Sequence, residues 1–342
     1  MSGARCRRTR SDVPHVIAVT VTYGDRFDRL CRETIVRVLR AGVGRVVVDN
    51  GSSEASRAGL IALAAGDERI LLVRNERNVG SARAFAAGLD VAKAQGPEFI
   101  WLLDDDNWVT ADVLEKLLVV QQEEAGALGD PSVVVAARRV PNAFHERLSE
   151  GARVETVYPP AGAFLGFDLV TYTRRKLPFR RTAGAASRPR IPYAPYGGLL
   201  VRPAILDEVG SPLAELVLYS DDTVWTSQIA AAGHPIVLAA EAVIEDAEGK
   251  WTQETAQNSV GAAISSPHKD RLYLSTRNRI WYDASRVRSF SERLRYRVNR
   301  FVVMTVARIS AVRNSSRAGF AVFKEAVEDG ERQDLSRPVG LS

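Results

Sequence analysis

Over the first 140 residues, short β-branched apolar runs alternate with longer stretches whose apolar positions recur at helical spacing. Val16 to Thr22 reads as a buried strand. Arg26 to Arg40 reads as a helix with Asp25 as its N-cap. Arg45 to Val48 is a second strand, Ser53 to Ala65 a second helix and Ile70 to Arg74 a third strand. Ser81 to Gln95 is Ala-rich and stops at Gly96-Pro97, which predicts a helix with a defined end. Phe99 to Leu103 is a fourth strand, followed by a helix over Thr110 to Glu124. This alternation predicts βαβ units and a mostly parallel central sheet flanked by helices, an α/β fold. Ligands of such sheets bind beyond the carboxyl ends of the strands. Polar residues collect there: Thr22-Tyr23-Gly24-Asp25, Asp49-Asn50-Gly51-Ser52 and Asp104-Asp105-Asp106-Asn107.

The pattern loosens from Pro141 to Pro195, which reads as an insertion carrying a basic loop (Arg174 to Arg190). Regular structure resumes with a strand over Gly197 to Val201, a helix over Pro203 to Val209 and a helical segment after Asp221-Asp222. Strands are expected at Pro235 to Ala239 and at Ala242 to Glu245. From Lys269 the chain reads as helical almost to its end. No internal repeat is present.

Composition narrows the class. The 342 residues are 46% hydrophobic and 25% charged, which excludes disorder over most of the length. Two cysteines, Cys6 and Cys31, make no disulfide framework, so a reducing compartment is expected. No apolar run is long enough to cross a membrane. The basic N-terminus has no apolar segment behind it and does not read as a secretory signal.

The net charge of +5 is unevenly spread. Ala284 to Arg317 holds nine arginines and one acid, Glu292, with apolar residues interleaved. A basic amphipathic helix of this kind suits an anionic membrane surface. Packing of its apolar stripe on the body or on a second subunit explains the pattern equally well. Nucleic acid is not expected as a partner, since no recognised binding module accompanies the arginines.

Three clusters carry chemistry. Asp104, Asp105 and Asp106 directly follow an apolar strand. Adjacent carboxylates raise one another's pKa unless a cation sits among them, and hard oxygen ligands suit Mg²⁺ or Mn²⁺. One of them capping the next helix is the plain alternative. Asp49 ends the second strand, either as part of an Asn-Gly turn or as an acceptor for a nucleobase N–H. Arg77, Asn78 and Gly80 precede the Ala-rich helix. There Asn78 is a natural N-cap, and a helix N-terminus also favours a diphosphate. Neither a Walker-type loop nor a Gly-x-Gly-x-x-Gly turn follows a strand, so P-loop and nicotinamide-binding folds are excluded.

Four segments occur in order: Val-Thr-Val-Thr-Tyr, Val-Val-Val-Asp-Asn-Gly-Ser, Asn-x-Gly-x-Ala-x-Ala-x-x-x-Gly and Trp-Leu-Leu-Asp-Asp-Asp. Tyr-Gly-Gly-Leu-Leu-Val-Arg-Pro and Tyr219-Ser220-Asp221-Asp222 follow. Together they resemble a family 2 glycosyltransferase of GT-A fold over about residues 15 to 283. Arg271 to Asn278 is similar to a helix motif of the rhamnosyltransferase and galactofuranosyltransferase branch.

The resemblance implies a basic tail over 1–14 and a GT-A catalytic domain over 15–266, with a donor-binding half at 15–125 and an acceptor and base half at 195–250. A C-terminal helical extension over 267–330 and a tail over 331–342 complete the division. It further implies an inverting, metal-dependent enzyme of polysaccharide or cell-envelope biosynthesis. Such an enzyme is cytoplasmic or peripheral on the inner face of the plasma membrane. It uses a UDP- or dTDP-linked sugar and a glycan or lipid-linked acceptor.

By the same resemblance, Thr22, Tyr23 and Asp49 line the nucleobase pocket, and Arg77, Asn78 and Gly80 lie near ribose or diphosphate. Asp104 and Asp106 hold a divalent metal, and Asp104 and Asp105 contact the donor. Asp222, with Asp221, supplies the catalytic base, although the pair also suits a helix N-cap. Gly197, Gly198 and Trp251 are expected on the acceptor side.

Two positions depart from the family. Gly24 stands where many relatives have Asn. Glu245-Asp246 stands where relatives often have a His metal ligand. Asp246, His234, His268 or water remain candidates for that place. A sugar nucleotidyltransferase and a catalytically silent, membrane-recruiting scaffold are the rival readings. The poor match of Tyr23-Gly24-Asp25 to a Gly-rich basic loop weighs against the first, and the intact aspartates against the second.

Overall fold

The computed structural model describes residues 14–176, 188–248 and 260–337. Nine strands form one sheet among these residues: β1 (Val16–Gly24), β2 (Gly44–Ser52), β3 (Ile70–Asn75), β4 (Phe99–Asp104), β5 (Asn107–Trp108), β6 (Val134–Val140), β7 (Arg190–Ile191), β8 (Leu199–Val201) and β9 (Ile236–Asp246). The order is β3-β2-β1-β4-β8-β6-β9-β5, with β7 also on β9. β1 lies between β2 and β4, and its apolar side chains are buried on both faces, as expected for an inner parallel strand. The helices Arg32–Arg40, Glu54–Gly66 and Ser81–Ala94 cover this half of the sheet.

The other half is mixed. β8 runs antiparallel to both β4 and β6, while β6 and β9 are parallel. The alternation predicts only the parallel part. A three-residue strand such as β8 carries no crossover helix to announce its direction. The two strands expected between Pro235 and Glu245 are one strand, β9, whose register slips opposite Ala137 and Arg138.

Local caps also differ from expectation. The chain enters its first helix through a wide turn, Phe27–Cys31, with no side-chain cap. Asp25 instead accepts hydrogen bonds from the Ser53 and Ser56 hydroxyls. The Ala-rich helix is capped by Gly80, and Asn78 accepts the Gly80 N–H.

The described parts of the 141–195 insertion include short helices and the strand β7, and they contribute Leu148, Val157, Tyr158 and Tyr193 to the main core. The C-terminal helices Lys269–Ser285, Phe290–Arg313 and Arg317–Glu331 build a second core with Phe164 and Ile264. Tyr282 of the first of them reaches the main core. The middle helix starts with a capping box: the Ser289 side chain accepts the Glu292 N–H, and Glu292 accepts the Ser289 N–H. No helix among the described residues is long and apolar enough to cross a membrane.

Candidate active site

The carboxyl ends of β1, β4, β6 and β9 and the start of the helix Asp221–Ala231 bring the expected acids to one region. Asp104 ends β4, and Asp246 ends β9. Arg139 of β6 joins them, with Nη1 3.0 Å from Asp104 and Nη2 2.7 Å from Asp246. Asp106 accepts from the Asn107 amide, which also accepts the Asp104 N–H.

Burial pushes the Asp104 and Asp106 carboxyls up and the surrounding acids push them further, opposed at Asp104 by the Arg139 charge; Asp106 reaches about 9. Asp104 feels Asp222 as well as Asp105 and Asp246, so the proposed base and the acidic triplet share one electrostatic field. Among the described residues no three acidic, His or Cys side chains converge tightly enough to ligate a metal. The guanidinium of Arg139 stands between two of the candidates. The donor set still fits a hard divalent cation, because crowded oxygens forced toward neutrality are what a cation relieves. Gly197 lies here too. A Cβ on it would meet the Asn107 amide oxygen at 2.3 Å and Asp104 Oδ2 at 2.7 Å, so only glycine fits. Gly198 instead packs on Ala137 and Ile244 and belongs to the sheet.

Asp105 is engaged elsewhere. Arg26 binds it in a two-pronged contact (2.7 and 2.8 Å), and the Thr22 hydroxyl donates to it at 2.7 Å. Arg26 also pairs with Glu248 at 2.6 Å and lies 5.0 Å over the Tyr23 ring. Tyr23 is 40% exposed and is the open surface at this strand end.

Two of the expected donor-side residues are engaged within the protein. Asp49 is fully buried; its oxygens accept the Ser52 N–H and pair with Arg57, so it shapes the turn. A Cβ on Gly80 would meet the Val217 carbonyl oxygen at 2.1 Å, so only glycine fits there. Asn78 is held between Asn50 and Gly80, while Arg77 is exposed.

Asp221 and Asp222 open their helix without a capping side chain. Burial, then Asp222, raises the Asp221 carboxyl to about 7, opposed by the Ser81 hydroxyl that donates to it at 2.7 Å. Burial also raises Asp222, opposed by the Thr223 N–H at 2.6 Å and by the charges of Arg139 and Arg279.

The loop before this pair is strained: Val217, Tyr219 and Ser220 all have positive φ. Asn278 holds it, its amide donating toward the carbonyls of Leu216, Leu218 and Tyr219 at 2.7 to 2.9 Å. Arg277 adds a bond to the Glu215 carbonyl.

Sequence reasoning missed Arg139, Arg26 and the bracing role of Asn278. Nothing in the local sequence marks Arg139, which becomes central only through the β6–β9 pairing. His145 supports it: its Nδ1 accepts the Arg139 N–H, and burial holds the ring neutral, with its pKa near 3. His234 is excluded from the site, since it bonds Ser132 and Glu208. Trp251 lies outside the described residues.

Residues 19–180 match the family model described as glycosyl transferase family 2. Over this stretch the chain is glycosyltransferase family 2-like. No curated protein matches this glycosyltransferase. Among solved structures, a mannosyltransferase from Pyrobaculum calidifontis, in complex with GDP-Man and Mn²⁺, is 18% identical with a TM-score of 0.53. That match covers 94% of this chain and 84% of the other. GalNAc-T7 with UDP, GalNAc and Mn²⁺ is 14% identical over 69% of this chain and 44% of its own, with a TM-score of 0.48. Residues 1–349 of TarS from S. aureus are 13% identical over 94% and 93%, with a TM-score of 0.46. At these identities the likeness of the glycosyltransferase to the mannosyltransferase is one of fold: a GT-A-like α/β architecture with a C-terminal helical extension.

Proposed function

We propose that this glycosyltransferase moves a sugar from a nucleoside-diphosphate donor to a glycan or lipid-linked saccharide, inverting the anomeric centre in one displacement. The observation that carries the reading is the gathering of Asp104, Asp106 and Asp246 at the strand ends beside Arg139, with the half-buried Asp222 at the start of the next helix near enough for its charge to raise Asp104. The crowded acids support divalent-metal dependence, as does the Mn²⁺ in the complex of the mannosyltransferase. The branch motif from Arg271 to Asn278 favours a rhamnose- or galactofuranose-type sugar.

Asp104 and Asp106 would hold Mn²⁺ or Mg²⁺, joined by Asp246 when Arg139 releases it, and the ion would offset charge on the departing diphosphate. Tyr23 and Arg77, both exposed, would meet the nucleotide. Asp222 accepts the proton of the attacking acceptor hydroxyl as the new glycosidic bond forms and the bond to the diphosphate oxygen breaks. A carboxylate made more basic by burial suits that role. Asp221, fixed by Ser81, holds the start of the helix in place.

The deciding experiment is Asp222→Asn, assayed for transfer and for binding of UDP, GDP or dTDP with Mn²⁺ by thermal shift. Transfer should fall by about 10³-fold with nucleotide binding retained. Full transfer in the variant would refute the base assignment.

A further inference from the structure

The helix Phe290–Arg313 is apolar on two opposite sides. One side carries Val303, Ala307 and Ala311 into the C-terminal core. The other carries Phe290, Leu294, Val298, Phe301, Ile309 and Val312, spaced three, four or eight residues apart, a single stripe on a helix surface. Phe290 is 81% exposed, and Phe301 and Val312 are each 72% exposed. The stripe runs about 33 Å along the helix. Exposed apolar side chains repeated over that length, interspersed with exposed arginines, mark an interaction site.

The charges beside the stripe identify the partner. Of the arginines on this helix, Arg295 pairs with Asp168 and Arg300 with Glu331, both toward the body. Arg293, Arg297, Arg308 and Arg313 are exposed and form no ion pair among the described residues. The only acid of the helix, Glu292, is spent on the N-terminal amides of Arg288 and Ser289. The neighbouring helix Leu169–Lys176 is tied to the same element, its Leu169 N–H donating to Asn299 Oδ1 at 3.0 Å. It adds the exposed apolar Leu169 and Val170 and the exposed Arg174. Two copies packed through this face would set arginine against arginine with no acid between them, so a second copy does not fit.

We propose that this face docks the protein in plane on an anionic lipid bilayer. The apolar stripe enters the headgroup boundary, and Arg293, Arg297, Arg308 and Arg313 contact lipid phosphates. This sharpens the sequence expectation from an arginine-rich segment to one face of one helix. It goes beyond the transfer reading and stands whether or not Asp222 is the base.

The test is co-sedimentation of the full chain with vesicles of phosphatidylcholine alone or with about one-third phosphatidylglycerol, at low and high salt. Binding is expected only with the anionic vesicles and should weaken at high salt. The double variant Phe290→Ser/Phe301→Ser changes two exposed side chains and leaves the buried face intact, and it should bind at least tenfold more weakly. Arg293→Glu/Arg297→Glu should do the same. Equal binding to both vesicle types, or wild-type binding by these variants, would overturn the proposal. Sedimentation equilibrium showing a dimer that the Phe290→Ser/Phe301→Ser variant dissociates would also overturn it, since the stripe would then be a subunit interface.

Discussion

The side-chain amide of Asn278 donates to the Tyr219 carbonyl at 2.9 Å, two residues before Asp221. The same nitrogen serves Leu216 and Leu218, so one amide on a C-terminal helix restrains the strained turn that aims the acidic pair. Asn278→Asp keeps the shape but replaces the donor with an acceptor facing three carbonyls. The turn should relax toward ordinary backbone angles and Asp222 should lose its aim. The expected result is a fall in kcat of about tenfold or more, the equivalent of one hydrogen bond, with donor KM little changed. Asn278→Gln should recover part of the loss. A variant with lowered melting temperature and normal kcat would mean that Asn278 only stabilises the fold.

Asp106 tests the metal assignment separately from the base. Burial, then crowding with Asp104 and Asp246, pushes its carboxyl up to about 9, so a cation has strong reason to bind and displace the proton. Asp106→Ala should weaken UDP binding in the presence of Mn²⁺ by at least tenfold in calorimetry. Binding measured without metal should hardly change. Equal affinity of wild type and variant in Mn²⁺ would remove Asp106 from the metal site.

What the sequence revealed follows from which interactions are local. The parallel half of the sheet was legible because β1, β2, β3 and β4 are apolar runs separated by helices of opposite periodicity. The acidic triplet was legible because all three residues sit on one strand end. Arg139 was not, since its meaning depends on β6 and β9 pairing in parallel across about 100 residues of chain. Asp49 looked like a ligand group at a strand end. Only the closing of Arg57 and the Ser52 amide over it shows that its oxygens are used internally. The direction of β8 and the strain at Val217 are likewise tertiary facts, set by packing against β4, β6 and Asn278 and not by local propensity.

Cys31 offers a check on the packing behind the site. It is fully buried, and burial together with the nearby Asp105 charge pushes its thiol up to about 12. At pH 8 only about one thiol in 10⁴ is then ionised, and the thiolate is the reactive form. Iodoacetamide should leave Cys31 unmodified in the native protein and modify it fully in denaturant, read by peptide mass spectrometry. Rapid native labelling of the Cys31 peptide would show that the turn Phe27–Cys31 opens readily.

Asp168 ties the insertion to the proposed docking helix, and its contribution should depend on pH. Burial alone would raise its pKa, but the two-pronged contact from Arg295, the Thr171 N–H and the Asn299 amide outweigh this and hold it at about 2. A carboxyl with a lower pKa folded than unfolded stabilises the fold above its unfolded value. That stabilisation is lost as pH falls through the folded value. The window therefore runs from about pH 4, the ordinary carboxyl value, down to about pH 2. Asp168→Asn should lower the melting temperature at pH 7 by an amount equivalent to about 1–2 kcal/mol, after allowance for imperfect burial. The gap between wild type and variant should narrow steadily below pH 4. A gap that stays constant from pH 7 to pH 3 would show that the Asp168 charge adds nothing and that the contact with Arg295 is steric.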